Sequence, residues 1–471
     1  MRKICVIIFI LFSISAKSQT WNVLNPDFDT TIVDAYYYDS TTNELYLGGV
    51  FQYFNGTFAN GIVKWDGQQW MALGGGFYNS SGTYLLASIT SITKYNGEIV
   101  AAGLFDSSGT TKFKMPIARW NGSQWLPFDT ITEAYHPIGG TLRPIIRNII
   151  VFNGKLFIIG EIQALDPFPG NNNWFNYFAY WNDTIWQPGV RPANNFIYSY
   201  HAEFEIYNSD LYISFSDGID SCYISGQPGV PADGLLKYNY PCRSIEEIGT
   251  WGNTERVMTM LAHNGSLYLG LDHFNPSYGS YITRYDGTDF FPLGAGLNWN
   301  VESLTIYQGQ LVAAGRFLSD GTGVPFLPRI AVWDGANWNP FPASCALDSW
   351  IYKVYGHDSL LFASGVFDTC GTSPLKYSAV YPVILTGIHK PAESTRQEVI
   401  IYPNPFADKL NISVAANELS ELIVYDITSR RILNQRFRNT VSLNTSFLPD
   451  GIYIYEVRNK SKSYRGKIVK Q

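Results

Sequence analysis

Polar side chains recur near the start of seven short segments, and any chemistry would have to reside in that series. Aligned on the aromatic residue before each first turn, one position is held by Asp34, Ser91, Asn148, Glu203, Thr259, Ser303 and Ile351. Two residues on come Tyr36, Thr93, Ile150, Glu205, Leu261, Thr305 and Lys353, and the position between is apolar throughout. Alternation with period two describes strands with one packed face and one face toward a polar space. Asp34, Tyr36, Asn148, Glu203, Glu205 and Lys353 are therefore expected to line a common channel. Such a lining is either a solvated wall or a seat for a small polar ligand or cation. Glycosidic-bond chemistry would need two of its carboxylates within about 5 to 10 Å of each other.

Other constellations are weaker. The six histidines occupy unlike repeat positions, and none forms H-E-x-x-H or sits at metal-ligand spacing from a cysteine. The chain has no G-x-S-x-G, P-loop or dinucleotide fingerprint. No catalytic residue, metal ligand or resident cofactor is assigned. Asp-rich loops at Asp106-Ser107-Ser108-Gly109, Asp320-Gly321-Thr322-Gly323 and Asp368-Thr369-Cys370-Gly371 could wrap calcium, but the same residues favour plain turns. Aromatics outside the regular pattern, namely Trp174, Phe175, Tyr177 and Trp299, with Tyr78 and Tyr84, are read as loop residues available to a ligand.

The elements that must position these residues are strands. Aromatic residues reach 16% and charged residues only 15% of the 471 residues, a composition of an all-β chain. One phrase is repeated: Trp120-Asn121-Gly122 leading to Trp125 reads as a tight hairpin with a two-residue turn. It returns at Trp65 to Trp70, Trp181 to Trp186, Tyr285 to Phe290 and Trp333 to Trp338, with eroded copies at Tyr238 and Tyr381. Each unit of about 47 to 61 residues reads as four strands, the signature of a propeller blade. Gly49, Gly103, Gly160, Gly315 and Gly365 share one position of the second strand, where a missing side chain is expected to admit a neighbouring aromatic strand. The seventh unit ends at Tyr381 without a fourth strand, whereas Trp21-Asn22-Val23-Leu24 matches Trp70-Met71-Ala72-Leu73. The expected fold is an all-β, seven-bladed β-propeller closed by the N-terminal strand, followed by a small C-terminal β-sandwich.

Met1-Arg2-Lys3, the apolar run Ile4 to Ile14 and the small residues after it read as a secretory signal over residues 1–18. No other stretch is long enough to span a bilayer as a helix, so no transmembrane segment is expected after its removal. In an exported chain the four remaining cysteines are expected to form disulfides, Cys222 with Cys242 and Cys345 with Cys370 by proximity in sequence. Free buried cysteines are the alternative. Each bridge would contribute roughly 3 kcal/mol. The body of the chain is acidic and the segment from Thr395 basic, and the overall charge of −6 argues against nucleic acid as a partner.

The repeat resembles kelch-like propeller units, and more closely the Trp-Asp-Gly type of bacterial surface proteins and fungal cortical-marker proteins. The resemblance spans residues 19–385 and implies architecture only, because propellers serve binding, adhesion and catalysis alike. After a polar linker over 386–398, residues 399–471 change character. Tyr402-Pro403-Asn404-Pro405, Tyr425-Asp426, Gly451-Ile452-Tyr453 and the closing Lys467 and Lys470 resemble the C-terminal sorting domain of the type IX secretion system of Bacteroidetes, with Ser429 where such tails carry glycine. The resemblance implies two partners, the type IX translocon and its sortase, and a protein that is secreted or held on the outer cell surface. The expected function is binding of a glycan or protein ligand. An extracellular carbohydrate-active hydrolase or lyase using Asp34 and Glu203, or a structural surface component, remain the alternatives.

Overall fold

A computed structural model describes residues 20–25, 32–382 and 399–470, except for short stretches at 68, 81–85, 129–133, 136–143, 166–173, 190–201, 223–229, 241–243, 249–255, 276–279, 403–405, 415–418, 427–429 and 459–462. The expected signal over 1–18, the linker over 386–398, Tyr84, Cys242 and Pro403 to Pro405 lie outside the described residues. The chain divides into two compact units, Met1–Ile384 and Leu385–Gln471. No helix occurs among the described residues.

In the first unit the described residues form seven antiparallel sheets of four or five strands, an architecture consistent with a β-propeller. Their first strands are Ile32–Asp39, Ser88–Tyr95, Ile145–Phe152, Ala202–Tyr207, Val257–His263, Val301–Tyr307 and Ile351–His357. In five of the sheets each strand pairs with the next strand of that sheet along the chain, and in the sheet of Ile145–Phe152 an added strand, Ala134–Tyr135, also pairs with Lys155–Leu165. In the other, Ile351–His357, Leu360–Gly365 and Ser378–Pro382 are completed from the far end of the sequence by Asn22–Val23, with Asn22 opposite Val380 and Val23 opposite Ala379. Trp21 is buried there, its ring 5.6 Å from Phe341 and 5.3 Å from Tyr381.

The repeated hairpin departs from the expected two-residue turn. Trp120 pairs with Trp125, so four residues make the connection. The loop is held by its first side chain: Asn121 Oδ1 accepts the main-chain N–H of Ser123 at 3.0 Å and of Gln124 at 2.9 Å. Asn182, Asp286 and Asp334 do the same in their sheets. These donors hold the carboxyls of Asp286 and Asp334 below their usual range. The Asx side chain of the phrase is thus a turn device.

Each first strand is the edge of its sheet, and its outer N–H groups lack a ladder partner. The preceding sheet supplies acceptors. Ser91 Oγ accepts from Ile149 N at 3.2 Å, Ser303 Oγ from Val354 N at 3.1 Å and Thr305 Oγ1 from Gly356 N at 2.9 Å. Glu203 Oε2 accepts from Met260 N at 3.2 Å and Glu205 Oε1 from Ala262 N at 2.9 Å. The first strand starting at Ile32 is tied to the sheet completed by Asn22–Val23, because Val33 N donates to Ser364 Oγ at 2.8 Å and Tyr36 stacks on Tyr355 at 4.9 Å.

Cys345 and Cys370 form a disulfide with Cα atoms 5.4 Å apart. The proposed partner bridge lies beyond description, since Cys242 falls outside the described residues and only the backbone of Cys222 is described, at the end of Asp210–Cys222. In the second unit two sheets share one apolar core that includes Phe406, Leu410, Leu422, Val424, Val457 and Ile468.

Ser303 is 1% exposed, so Ser303→Ala strands a buried main-chain N–H at Val354. The variant should lose about 1 to 3 kcal/mol in denaturant unfolding. Unchanged stability would show that these side chains do not hold neighbouring sheets together.

Candidate functional site

The second-strand glycines mark a bulge in the strand beside them. In the first strands the register skips one residue, leaving Asp34, Thr90, Arg147, Met258, Glu302 and Tyr352 unpaired in the ladder. A bulge turns the extra side chain out of the alternation and bends the strand. Opposite five of these bulges the partner is glycine, and opposite the one at Met258 it is Leu271. A Cβ on Gly49, Gly103, Gly160, Gly315 or Gly365 would collide with the carbonyl oxygen of Ile32, Ser88, Ile145, Asn300 or Trp350. The close approach is thus by the first strand's own backbone, and not by the neighbouring aromatic strand.

Five of the six bulged side chains meet in one cavity of about 480 Å³, lined by Asp34, Thr90, Arg147, Glu302 and Tyr352 with Asn148, Ala202, Glu203 and Lys353. The first strands of six different sheets contribute to it. Four of the residues expected from the sequence, Asp34, Asn148, Glu203 and Lys353, are brought together here. Tyr36 and Glu205 are not among the lining residues. Tyr36 is packed on Tyr355, with its hydroxyl buried and unpartnered among the described residues, and Glu205 is turned to the N–H of Ala262.

The register expected from the sequence needs correction at both ends of the chain. By pairing, the row after the bulge is Ala35, Ser91, Asn148, Glu203, Thr259, Ser303 and Lys353. Asp34 therefore sits one place early, Ile351 two places early, and Tyr36 is out of phase. The cause is the alignment anchor. Tyr95, Phe152, Tyr207, His263 and Tyr307 end their strands, but the matching positions are Asp39 and His357, so the nearest aromatic residue misleads.

The cavity is charged but mostly neutralised. Arg147 Nε donates to Glu161 Oε1 at 3.0 Å, and Arg316 Nε donates to Glu302 Oε1 at 2.7 Å. These are the same two positions, bulge and residue after the glycine, with the charges exchanged. Lys353 Nζ lies 3.3 Å from Glu203 Oε1. At the corresponding place opposite Asp34 the sequence has Val50, so this acid gets no such partner. Protein surrounds Asp34 and pushes its carboxyl from 3.8 up to about 6, against the pull of Lys353 and Arg147. Burial likewise raises Glu205 to about 7, with Glu203 adding to the rise and the Ala262 N–H and Lys353 opposing it.

The aromatics taken as loop residues separate. Trp174, Phe175 and Tyr177 belong to a strand, Trp174–Trp181, whose start pairs Trp174 with Leu165 and Phe175 with Ala164. The insertion pairs because the second strand, Lys155–Leu165, runs on past its glycine. Trp299 is in irregular structure, 55% exposed, and lines neither described cavity. The aspartates of the candidate calcium loops bond within their own surroundings. Asp106 Oδ2 accepts from Ser80 N at 2.9 Å, and Asp320 Oδ1 from Thr322 N at 2.9 Å.

In the second unit Tyr402 pairs with Asn411, and the strand opening at Gly451 lies against the closing strand, with Gly451 opposite Lys470, Tyr453 opposite Ile468 and Ile454 opposite Lys467. Tyr453 is buried and donates to Pro449 O at 2.7 Å. The Lys470 ammonium lies 3.8 Å from Asp408 and 4.0 Å from Asp450.

Residues 400–471 match the family model of the secretion system C-terminal sorting domain. That domain is of the type IX kind, so the protein is a secreted or outer-surface protein of Bacteroidetes type that engages the type IX machinery. No curated protein matches the sequence. Among solved structures, the chain is similar to the extracellular domain of a hybrid two-component system of B. thetaiotaomicron, at 11% identity and a TM-score of 0.46, over 96% of this chain and 57% of that one. It is also similar to the extracellular domain of a one-component system of the same organism, at 10% identity and a TM-score of 0.34, over 96% and 59%. A puromycin-hydrolyzing peptidase of Mycobacterium tuberculosis is matched at 10% identity and a TM-score of 0.43, over 84% and 61%. The chain thus spans less than two thirds of the length of each of these three structures.

A carboxyl raised in the folded state keeps its proton where the unfolded chain has lost it. Asp34 therefore makes stability fall as the pH rises from about 4 to 6, with no further change above. Between pH 4 and 7 the unfolding free energy of the native chain should drop relative to Asp34→Asn by at most roughly 3 kcal/mol. Parallel pH profiles of the two proteins would show that Asp34 titrates normally.

Proposed function

We propose that the first unit is a seven-bladed propeller, closed by Asn22–Val23, that binds an extracellular glycan or protein at the charged mouth of its axial channel. The observation that carries this reading is the cavity of about 480 Å³, to which first strands of six sheets contribute side chains. Strands so far apart in sequence share one cavity most simply when they surround an axis. The pairing of Asn22 with Val380, and the bond from Val33 to Ser364, support closure. The domain organisation follows: signal over 1–18, propeller over 19–385, linker over 386–398 and sorting domain over 399–471, read by the translocon and removed by its sortase.

At the channel mouth three ion pairs, Arg147 with Glu161, Arg316 with Glu302 and Lys353 with Glu203, set a rigid polar frame. Asp34 is the group left to engage a ligand, as a hydrogen-bond donor when protonated and as an acceptor when ionised. A rival reading is hydrolysis or elimination of a carbohydrate. It draws on the presence in one cavity of a raised carboxyl, Asp34, and a carboxylate paired with lysine, Glu203.

Glycan and protein arrays probed with the purified full chain separate these readings. Binding with the ligand recovered intact, weakened at least tenfold by Asp34→Ala or Lys353→Ala, is expected. Cleaved products would move the assignment to the enzyme, and binding untouched by both variants would remove the channel mouth from it. Deletion of residues 395–471 should retain the protein in the periplasm, and wild-type amounts outside the cell would overturn the sorting role.

A further inference from the structure

We propose that a second cavity, opened at Trp70, is a binding site for a neutral sugar ring. It is distinct from the charged mouth, which is lined from the starts of the first strands. The second cavity, of about 410 Å³, is lined by the ends of the first strands and their turns, through Tyr38, Asn43, His357 and Asp358, together with Trp65 and Trp70.

Five tryptophans hold the same repeat position, opening or leading into a fourth strand: Trp21, Trp70, Trp125, Trp186 and Trp338. Four of them are at most 2% exposed, and Trp70 is half-buried. Trp125 Nε1 donates to Leu73 O at 3.0 Å and Trp338 Nε1 to Leu293 O at 3.2 Å, each a carbonyl from the preceding sheet. Trp70 Nε1 donates to no described group.

The buried rings are covered from the preceding sheet in two ways: Trp21 and Trp186 pack against Phe341 and Phe128, at 5.6 and 5.7 Å, and the other two lie under glycine-bearing loops. Leu73-Gly74-Gly75-Gly76 and Leu293-Gly294-Ala295-Gly296 lie close over the aromatic pair of the following sheet. A Cβ on Gly74 would stand 3.2 Å from the Trp120 ring, and one on Gly294 3.1 Å from the Trp333 ring. Before Trp70 the equivalent sequence is Leu24-Asn25-Pro26, without glycine. Asn25 turns to another loop, with Nδ2 donating to Tyr53 O at 2.8 Å and Oδ1 accepting from Asn55 N at 3.0 Å. Asn25 is thus held toward that loop, and the half-buried indole of Trp70 borders the cavity.

The lining matches the chemistry of a sugar. Trp65 and Trp70 pack at 5.3 Å, and Tyr38 and His357 at 4.1 Å, so two aromatic pairs border the cavity. Aromatic faces carry a negative quadrupole that suits the polarised C–H groups of a pyranose. The Trp70 N–H, the Asn43 amide, the Ser359 hydroxyl and the Asp358 carboxylate are donors and acceptors for its hydroxyls. The volume lies within the usual range of ligand pockets, an apolar wall with a few placed polar groups. No lysine or arginine is among the described lining residues, and Asp358 is an acid, so a uronate or sulfated sugar would meet like charge.

Saturation-transfer NMR on the full secreted chain with cellobiose, lactose, methyl α-mannoside and D-glucuronate tests the proposal. At least one neutral sugar should show transfer, D-glucuronate should not, and Trp70→Ala should weaken binding at least tenfold. Trp70→Phe keeps the packing and loses the N–H, so it should bind with an intermediate loss even if Trp70→Ala fails to fold. Silence of all three neutral sugars, equal transfer to D-glucuronate, or binding indifferent to both variants would each overturn the site. Failure here leaves the channel-mouth reading standing, because that one is probed through Asp34 and Lys353.

Discussion

The first strand of every sheet has one side with no ladder partner, and the N–H groups on that side cannot be left bare between packed sheets. An unmade bond at a buried donor costs about 1 to 3 kcal/mol, and the requirement returns with each repeat. The chain meets it with side-chain oxygens from the neighbouring sheet: Ser91, Ser303 and Thr305 where a hydroxyl reaches, Glu203 and Glu205 where a longer arm is used. The polar face of the first strands is therefore partly glue. Glu203 serves twice, since one carboxylate oxygen takes the Met260 N–H while the other faces Lys353 at the cavity. Altering it changes the frame along with any site, which is why Asp34, outside the three ion pairs, is the cleaner probe of function.

A second constraint follows from the bulges. In six first strands they free one residue from the ladder, with glycine opposite in five, and five of the freed residues line the cavity. The same geometry holds opposite charges in two sheets, Arg147 against Glu161 and Glu302 against Arg316. Backbone and glycine thus define the position, while its occupant is free to vary. Asp34 is the case where an acid was placed and the cross-strand cation was not. Burial raises its carboxyl, against the pull of Lys353 and Arg147.

What the sequence made legible was whatever repeats locally. The all-β class, the four-strand unit and the match of Trp21 to Trp70 could be read because each rests on alternation and turn residues within one copy. The sorting tail could be read from short motifs in order. Of the residues that line the cavity, Asp34, Asn148, Glu203 and Lys353 are expected from the sequence, whereas Arg147, Glu302 and Tyr352 were passed over. A bulge shifts register by one residue without altering composition, so strict alternation assigns its extra residue to the wrong face. The signal lay in the recurrent glycine of the second strand, which implies a close approach of some backbone but does not say whose. Asp39 and His357, standing where other copies have an aromatic strand end, hid the shift.

Repetition gives each position its own controls, and this is what makes the departures informative. Trp125, Trp186 and Trp338 show what the tryptophan of the phrase does by default: it is buried. Trp70 has its aromatic partner at the same spacing and with the same ring geometry, 5.3 Å in both Trp65 with Trp70 and Trp120 with Trp125. The difference therefore lies outside the hairpin, on the side of Asn25, which bonds to Tyr53. The strand that precedes Asn25, Asn22–Val23, is the one that joins the two ends of the first unit in one sheet. By the same logic Asp34 lies in the first copy, beside the sheet shared by both ends. The two features least explained by packing both lie at that junction, so the place where the repeat is interrupted is where ligand chemistry should be sought.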